Sequence, residues 1–121
     1  MAIDHVTIDV QDIAASRKFY AAALRPLGYE ARAESGESVG FGDSRGVDFW
    51  IARRGDPSTT HVALSAPSRD AVEQFHEAAM AGGGRDNGEP GLRPQYHENY
   101  YAAYVIDPDG NNIEAVSHTP E

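Results

Sequence analysis

Shifted by 56 residues, the chain lies on itself. His5 falls on His61, Val6 on Val62, Ile8 on Leu64, Phe19 on Phe75, Ala22 and Ala23 on Ala78 and Ala79, Leu24 on Met80 and Gly28 on Gly84, without a gap. A supersecondary unit used twice cannot bury its apolar face alone, so the two copies are expected to pack against each other. Each copy reads as a strand, a short turn, an amphipathic helix and a glycine stop. Val6, Ile8 and Val10 alternate with His5, Thr7 and Asp9, the period of a half-buried strand. The spacing predicts a helix from Ile13 to Leu24 and a second one capped by Ser68, with Val72, Phe75 and Ala79 as its apolar stripe. The glycines at 28 and 82–84 follow these helices, as C-caps do, and precede none, so no phosphate-binding loop is expected.

Further on, Asp43-Ser44-Arg45-Gly46 matches Asp107-Pro108-Asp109-Gly110 at an offset of 64, so the second copy carries eight extra residues. The Gly-, Pro- and Asn-rich stretch 85–97 is the expected place for them, as a loop. Each DxxG reads as a tight turn leading into a strand, 47–52 in one copy and 112–117 in the other. This register sets Trp50 where the second copy has Glu114. Each half is then one strand, one helix and about three more strands, an α+β arrangement. The expected organisation is a single domain, 1–121, of module one (1–56) and module two (57–121), joined through RRGDPSTT at 53–60, whose RGD is read as a linker accident.

Composition narrows the function. The formal net charge of −9 argues against nucleic acid or an anionic membrane as partner, since both need a basic footprint. With no cysteine, disulfides, thiolate ligands and a cysteine nucleophile are excluded. A metal here would be held by nitrogen and oxygen. The N-terminus lacks the pattern of a signal peptide and no run approaches a membrane span, so a cytoplasmic protein is expected.

His5 and His61 lie on the strand face opposite Val6 and Val62, and Glu114 lies opposite Ile113 and Ala115. One such histidine is ordinarily a hydrogen-bonded strand-end residue. Two at equivalent positions, with a carboxylate, suggest a two-His, one-carboxylate site for a divalent ion if the half-sheets curve round a common cavity. Iron, manganese, zinc, nickel or cobalt would suit it. Residues 36–40, GESVG, match the G-x-S-x-G nucleophile elbow only formally. A glycine and a turn follow instead of a helix, so Ser38 is expected in a hairpin.

HVTIDV, the helix with FYAAAL, HVALSA and the ending YVIDPDGNNIEAV together resemble the vicinal oxygen chelate superfamily. That superfamily includes glyoxalase I, extradiol dioxygenases, methylmalonyl-CoA epimerase, fosfomycin-resistance thiol transferases and bleomycin-binding proteins. The resemblance implies a pair of βαβββ modules forming an open, barrel-like sheet, with metal ligands at His5, His61 and Glu114. It also implies a homodimer, in which module one of one chain completes a barrel with module two of the other. Trp50 stands where glyoxalase I has a fourth ligand, and tryptophan cannot ligate through its N–H, so it becomes an aromatic wall for substrate beside Thr7 and Tyr100. His97, Tyr104, Asp107, Pro108, Gly110 and Glu114 fit the spacing of the extradiol signature, while Ala103 and Gln95 depart from it. By that resemblance His97 and Tyr104 are the expected acid–base residues. No Arg or Lys follows Glu114 to hold a phosphonate, as a fosfomycin transferase would need. The expected function is metal-dependent chemistry on a small substrate with vicinal oxygens, extradiol-like in its signature. A metal-free binding or drug-sequestering protein, or a thiol transferase or isomerase, is the alternative.

Overall fold

A computed structural model describes residues 3–55 and 59–120. The elements run β1 (Val6–Asp9), α1 (Ile13–Leu24), a 3-10 turn (Arg25–Leu27), β2 (Glu30–Ser35), β3 (Ser38–Asp43) and β4 (Gly46–Ala52). The second half follows as β5 (His61–Ser65), α2 (Arg69–Ala81), β6 (Arg85–Leu92), β7 (Tyr101–Ile106) and β8 (Asn112–Ser117). The strand orders are β1-β4-β3-β2 and β5-β8-β7-β6, the same topology twice. The repeat is therefore real in three dimensions, and the fold is two βαβββ modules whose sheets are not closed. The boundary at 56/57 and Asp56 of the RGD lie outside the described residues.

Local chemistry explains the elements. Asp12 caps α1 by accepting from the Ala15 N–H, and Ser68 caps α2 by accepting from that of Ala71. Gly28 ends the 3-10 turn at φ 89°, where its N–H donates to the Arg25 carbonyl. GESVG is a hairpin, with Ser38 opening β3.

The extra residues of module two are arranged differently from the expected loop. Residues 85–92 pair with β7 as β6, despite Gly88, Pro90 and Gly91. The ladder shifts register between Asp86 and Gly88 and again between Gly88 and Gly91, so Pro90 falls in an interruption on an edge strand, where its missing donor is tolerated. The irregular segment is the shorter 93–100.

The modules meet through their helices. Ile8, Phe41, Phe49 and Ile51 of one sheet and Val105, Ile113 and Ala115 of the other share one buried cluster with Phe19, Tyr20, Val72 and Phe75 of the helices. Tyr20 packs its ring 4.8 Å from Phe19 and 5.2 Å from Phe49. Burying each such side chain contributes roughly 1.5–3 kcal/mol. The opposite faces of both sheets are left open. No described helix is long and apolar enough to cross a membrane.

Candidate functional site

Ile113 and Ala115 are fully buried against the helix side, which turns Asn112 and Glu114 of β8 to the open face. β5 runs parallel to β8 with Ala63 opposite Glu114, and β7 flanks it with Tyr104 opposite Glu114. His61, two residues before Ala63, therefore shares that face. Its Nε2 lies 3.1 Å from Glu114 Oε1, and Tyr100 Oη donates to the other carboxylate oxygen. A carboxylate only 2% exposed needs such partners, because removal from water penalises its charge. The His61 side chain stays 49% exposed. His61, Glu114, Tyr96, Tyr100, Tyr104 and Asn112 line a cavity of about 340 Å³.

Burial, then the hydrogen bond to Glu114 and its charge, hold the Tyr100 phenol well above the ordinary tyrosine range. Tyr104 is raised by burial and then by the same carboxylate. Elsewhere Tyr20 is raised by burial and then by the charge of Asp107, Tyr29 is pushed up to about 12 by burial and Asp48, and Tyr101 is raised by its hydrogen bond to Glu73. A phenol whose folded pKa exceeds its unfolded value of about 10 contributes stability that is full below pH ~10 and lost as pH climbs toward the folded value. Phenolate absorbance from these five tyrosines should therefore stay low above pH ~10 and then rise steeply together with unfolding. These five titrating together near pH ~10 in folded protein would contradict this environment.

Module one has different chemistry at the equivalent positions. Thr7 pairs with Trp50 and Gly40 flanks it, where module two sets Ala63, Glu114 and Tyr104. A Cβ on Gly40 would stand 2.9 Å from two carbons of the indole, so Trp50 lies over that glycine. His5 precedes β1, with its Nδ1 2.8 Å from Asp4 Oδ1 and its side chain 53% exposed.

Within one chain, then, His61, Glu114, Tyr100 and Tyr104 come together, whereas Thr7 and Trp50 sit on the other sheet and His5 just before its first strand. Among the described residues no group of three His, Cys, Asp or Glu is placed to hold a metal. His97 stands outside the cavity lining, its ring stacked 4.7 Å from His118 and edge-on to Tyr100 at 5.3 Å. Tyr96, Asn112 and His118 were not anticipated. Asn112 and His118 have the same parity as Glu114, so the strand period already carried their signal. Tyr96 lies in an irregular segment, 59% exposed and edge-on to Tyr100, where no period applies.

Residues 2–115 match the family described as "Glyoxalase/Bleomycin resistance protein/Dioxygenase superfamily". No curated protein matches. A glyoxalase/bleomycin resistance protein from Albidiferax ferrireducens T118 superposes with TM-score 0.87 at 32% identity, over 97% of this chain and 99% of that one. A glyoxalase/bleomycin resistance protein/dioxygenase family enzyme from Burkholderia phytofirmans PsJN gives 0.74 at 17% identity, over 98% and 100% of the two chains. A lactoylglutathione lyase from Agrobacterium tumefaciens gives 0.69 at 20% identity, over 96% and 92%. The last two likenesses are of fold.

Proposed function

The chain belongs to the glyoxalase/bleomycin resistance protein/dioxygenase superfamily, and from that membership we propose that it is a metal-dependent enzyme acting on a small substrate with vicinal oxygens. One observation carries the reading: a buried carboxylate, Glu114, 3.1 Å from an accessible imidazole, His61, on the wall of a cavity. This nitrogen–oxygen donor pair fits a divalent ion such as iron, manganese, zinc, nickel or cobalt.

In this reading His61 and Glu114 supply two donors and His5 of a second copy supplies the third. Module one of that copy would lie over the open face of module two, bringing its Thr7 and Trp50 to the substrate. The ion, when bound, polarises substrate oxygens. The chain's own side chains do the rest. Tyr100 holds the far oxygen of Glu114 and so fixes the carboxylate's orientation. Tyr104, 6.3 Å from the His61 ring, walls the cavity and keeps its proton at neutral pH, available to a developing negative charge. His97, at the rim, is the candidate for exchanging protons with solvent. A two-fold assembly of this kind in the cytoplasm, with a small molecule as partner, completes the proposal.

Metal content measured after purification without added metal is the test. The expected result is one divalent ion per chain, lost on Glu114→Ala because both the charge and a donor disappear. Unchanged stoichiometry in that variant would sink the site. A metal-free binding protein is the second reading, favoured by one observation: a single chain assembles two of the three donors. Wild-type protein that takes up no ion even when metal is supplied would establish it over the enzyme.

A further inference from the structure

We propose that Arg93, stacked on Tyr104 just beyond the lining of this cavity, is an anion anchor, so that the substrate carries a carboxylate remote from the His61–Glu114 pair. The proposal takes from the reading above only where the reacting end lies.

Across the open face, β5 contributes His61, β8 Glu114 and β7 Tyr104, and Arg93 follows at the end of β6. Its guanidinium carbon is 5.4 Å from the centroid of the Tyr104 ring. Two glycines make its seat. A Cβ on Gly88 would stand 2.8 Å from Tyr104 Cδ1 and 3.3 Å from Arg93 Nη2, and one on Gly91 would stand 3.0 Å from Nη1. Side chains there would push the guanidinium off the tyrosine. The backbone N–H of Arg93 donates to the Tyr100 carbonyl at 2.7 Å, and its Nη2 donates to that of Glu89 at 2.8 Å. The side chain is thus fixed along its length, with most of its five N–H donors uncommitted among the described residues.

Its lack of a counter-ion is informative. Acidic residues outnumber Lys and Arg by 19 to 10. Arg17, Arg32, Arg45, Arg53 and Arg54 each stand against a carboxylate, whereas Arg25, Arg69 and Arg85, like Arg93, form no ion pair among the described residues. Among the described residues Arg93 has none within ion-pair distance, although it is half-buried and stacked. None of the six residues lining the cavity is Lys or Arg. A guanidinium held in place through Nη2, with Nε and Nη1 not engaged by the described residues and no carboxylate partner, can recognise a carboxylate. Two strand spacings, roughly 10 Å, separate β8 from β6, and that span sets the length of the ligand. The Tyr104 face between favours a flat apolar middle.

The probes are 3-phenylpropionate and its neutral amide, 3-phenylpropanamide, titrated calorimetrically into the full chain at low ionic strength, as purified and after chelation. In wild type the acid should bind about tenfold more tightly than the amide. Arg93→Gln should abolish that preference and leave metal content and thermal midpoint unchanged, while Arg93→Lys should keep part of it. An acid that binds no better than the amide, or a preference that survives in Arg93→Gln, overturns the anchor. The preference should survive chelation, and a preference shown by protein that takes up no ion even when metal is supplied would overturn the metal reading and keep the anchor. Intact metal without the preference would do the reverse.

Discussion

Equal parts of a His5→Ala chain and a Glu114→Ala chain, dissociated and re-associated together, should recover about a quarter of the wild-type metal sites, although neither variant holds metal by itself. Random pairing makes about half of the dimers mixed. In a mixed dimer one site combines the intact His5 of one chain with the intact His61 and Glu114 of the other, and the second site has lost both. The argument rests on placement. His61 and Glu114 touch across the open face of the second sheet, while His5 stands just before β1 of the first, more than half exposed and paired with Asp4. Apolar groups near these faces also stand in water: Ile3 before β1 is 73% exposed, and Tyr96, which lines the cavity, is 59% exposed. Covering them by a second copy would remove that surface as it completes the ligand set. Each single variant should lose more than the roughly 10–100-fold in affinity typical of altering an outer-shell partner of a metal. Wild-type protein that sediments as a monomer, or a mixture that regains no metal, defeats the shared site.

The repeat made the architecture legible because strand period and helix spacing are local properties, and the second copy corroborated the first. It also fixed register across strands. The Thr7–Trp50 and Ala63–Glu114 pairs are equivalent in space, as offsets of 56 and 64 require. β6 was not legible, because Gly88, Pro90 and Gly91 are turn formers by local chemistry. Pairing with β7 outweighs that preference, and two register shifts accommodate it. In the site, parity placed His61 and Glu114 on one face, since both belong to regular strands of one sheet. Parity also set His5 on the open face of its own sheet, yet strand periodicity says nothing about which sheet faces which. That relation depends on how α1 and α2 pack, with the modules joined by their helices and the sheets turned outward. Arg93 was invisible for another reason: its importance lies in two missing side chains, at Gly88 and Gly91, whose effect exists only after folding.

The DPDGNN segment was readable as a turn, but its largest energetic role lies elsewhere, and Asp107→Ala should cost about 3–5 kcal/mol in urea denaturation, a sizeable part of the ~5–15 kcal/mol typical of a domain. Asp107 is 3% exposed and accepts four hydrogen bonds. Tyr20 Oη reaches its Oδ2 at 2.5 Å from α1 of the other module, and Asn111 Nδ2 reaches the same oxygen at 2.9 Å. The backbone N–H groups of Asp109 and Asn111 bind Oδ1 at 2.9 and 2.8 Å. Truncation would leave a fully buried phenol and a fully buried amide without acceptors, and such orphaned groups cost about 1–3 kcal/mol each. The turn's other contacts share the load: Asp109 accepts from Ser16 Oγ and the Gln11 N–H. Tyr20→Phe removes one donor and no acceptor, so it should cost about 1–2 kcal/mol, and a double-mutant cycle with Asp107→Ala should show strong coupling. The network also reaches the site, because Asn111 Oδ1 accepts from the Thr60 N–H, one residue before His61. Asp107→Ala should therefore weaken metal binding under conditions where the variant is still folded, and Tyr20→Phe, which leaves Asn111 its acceptor, should not. Asp107→Ala within about 1 kcal/mol of wild type would show that the helix contacts alone join the modules.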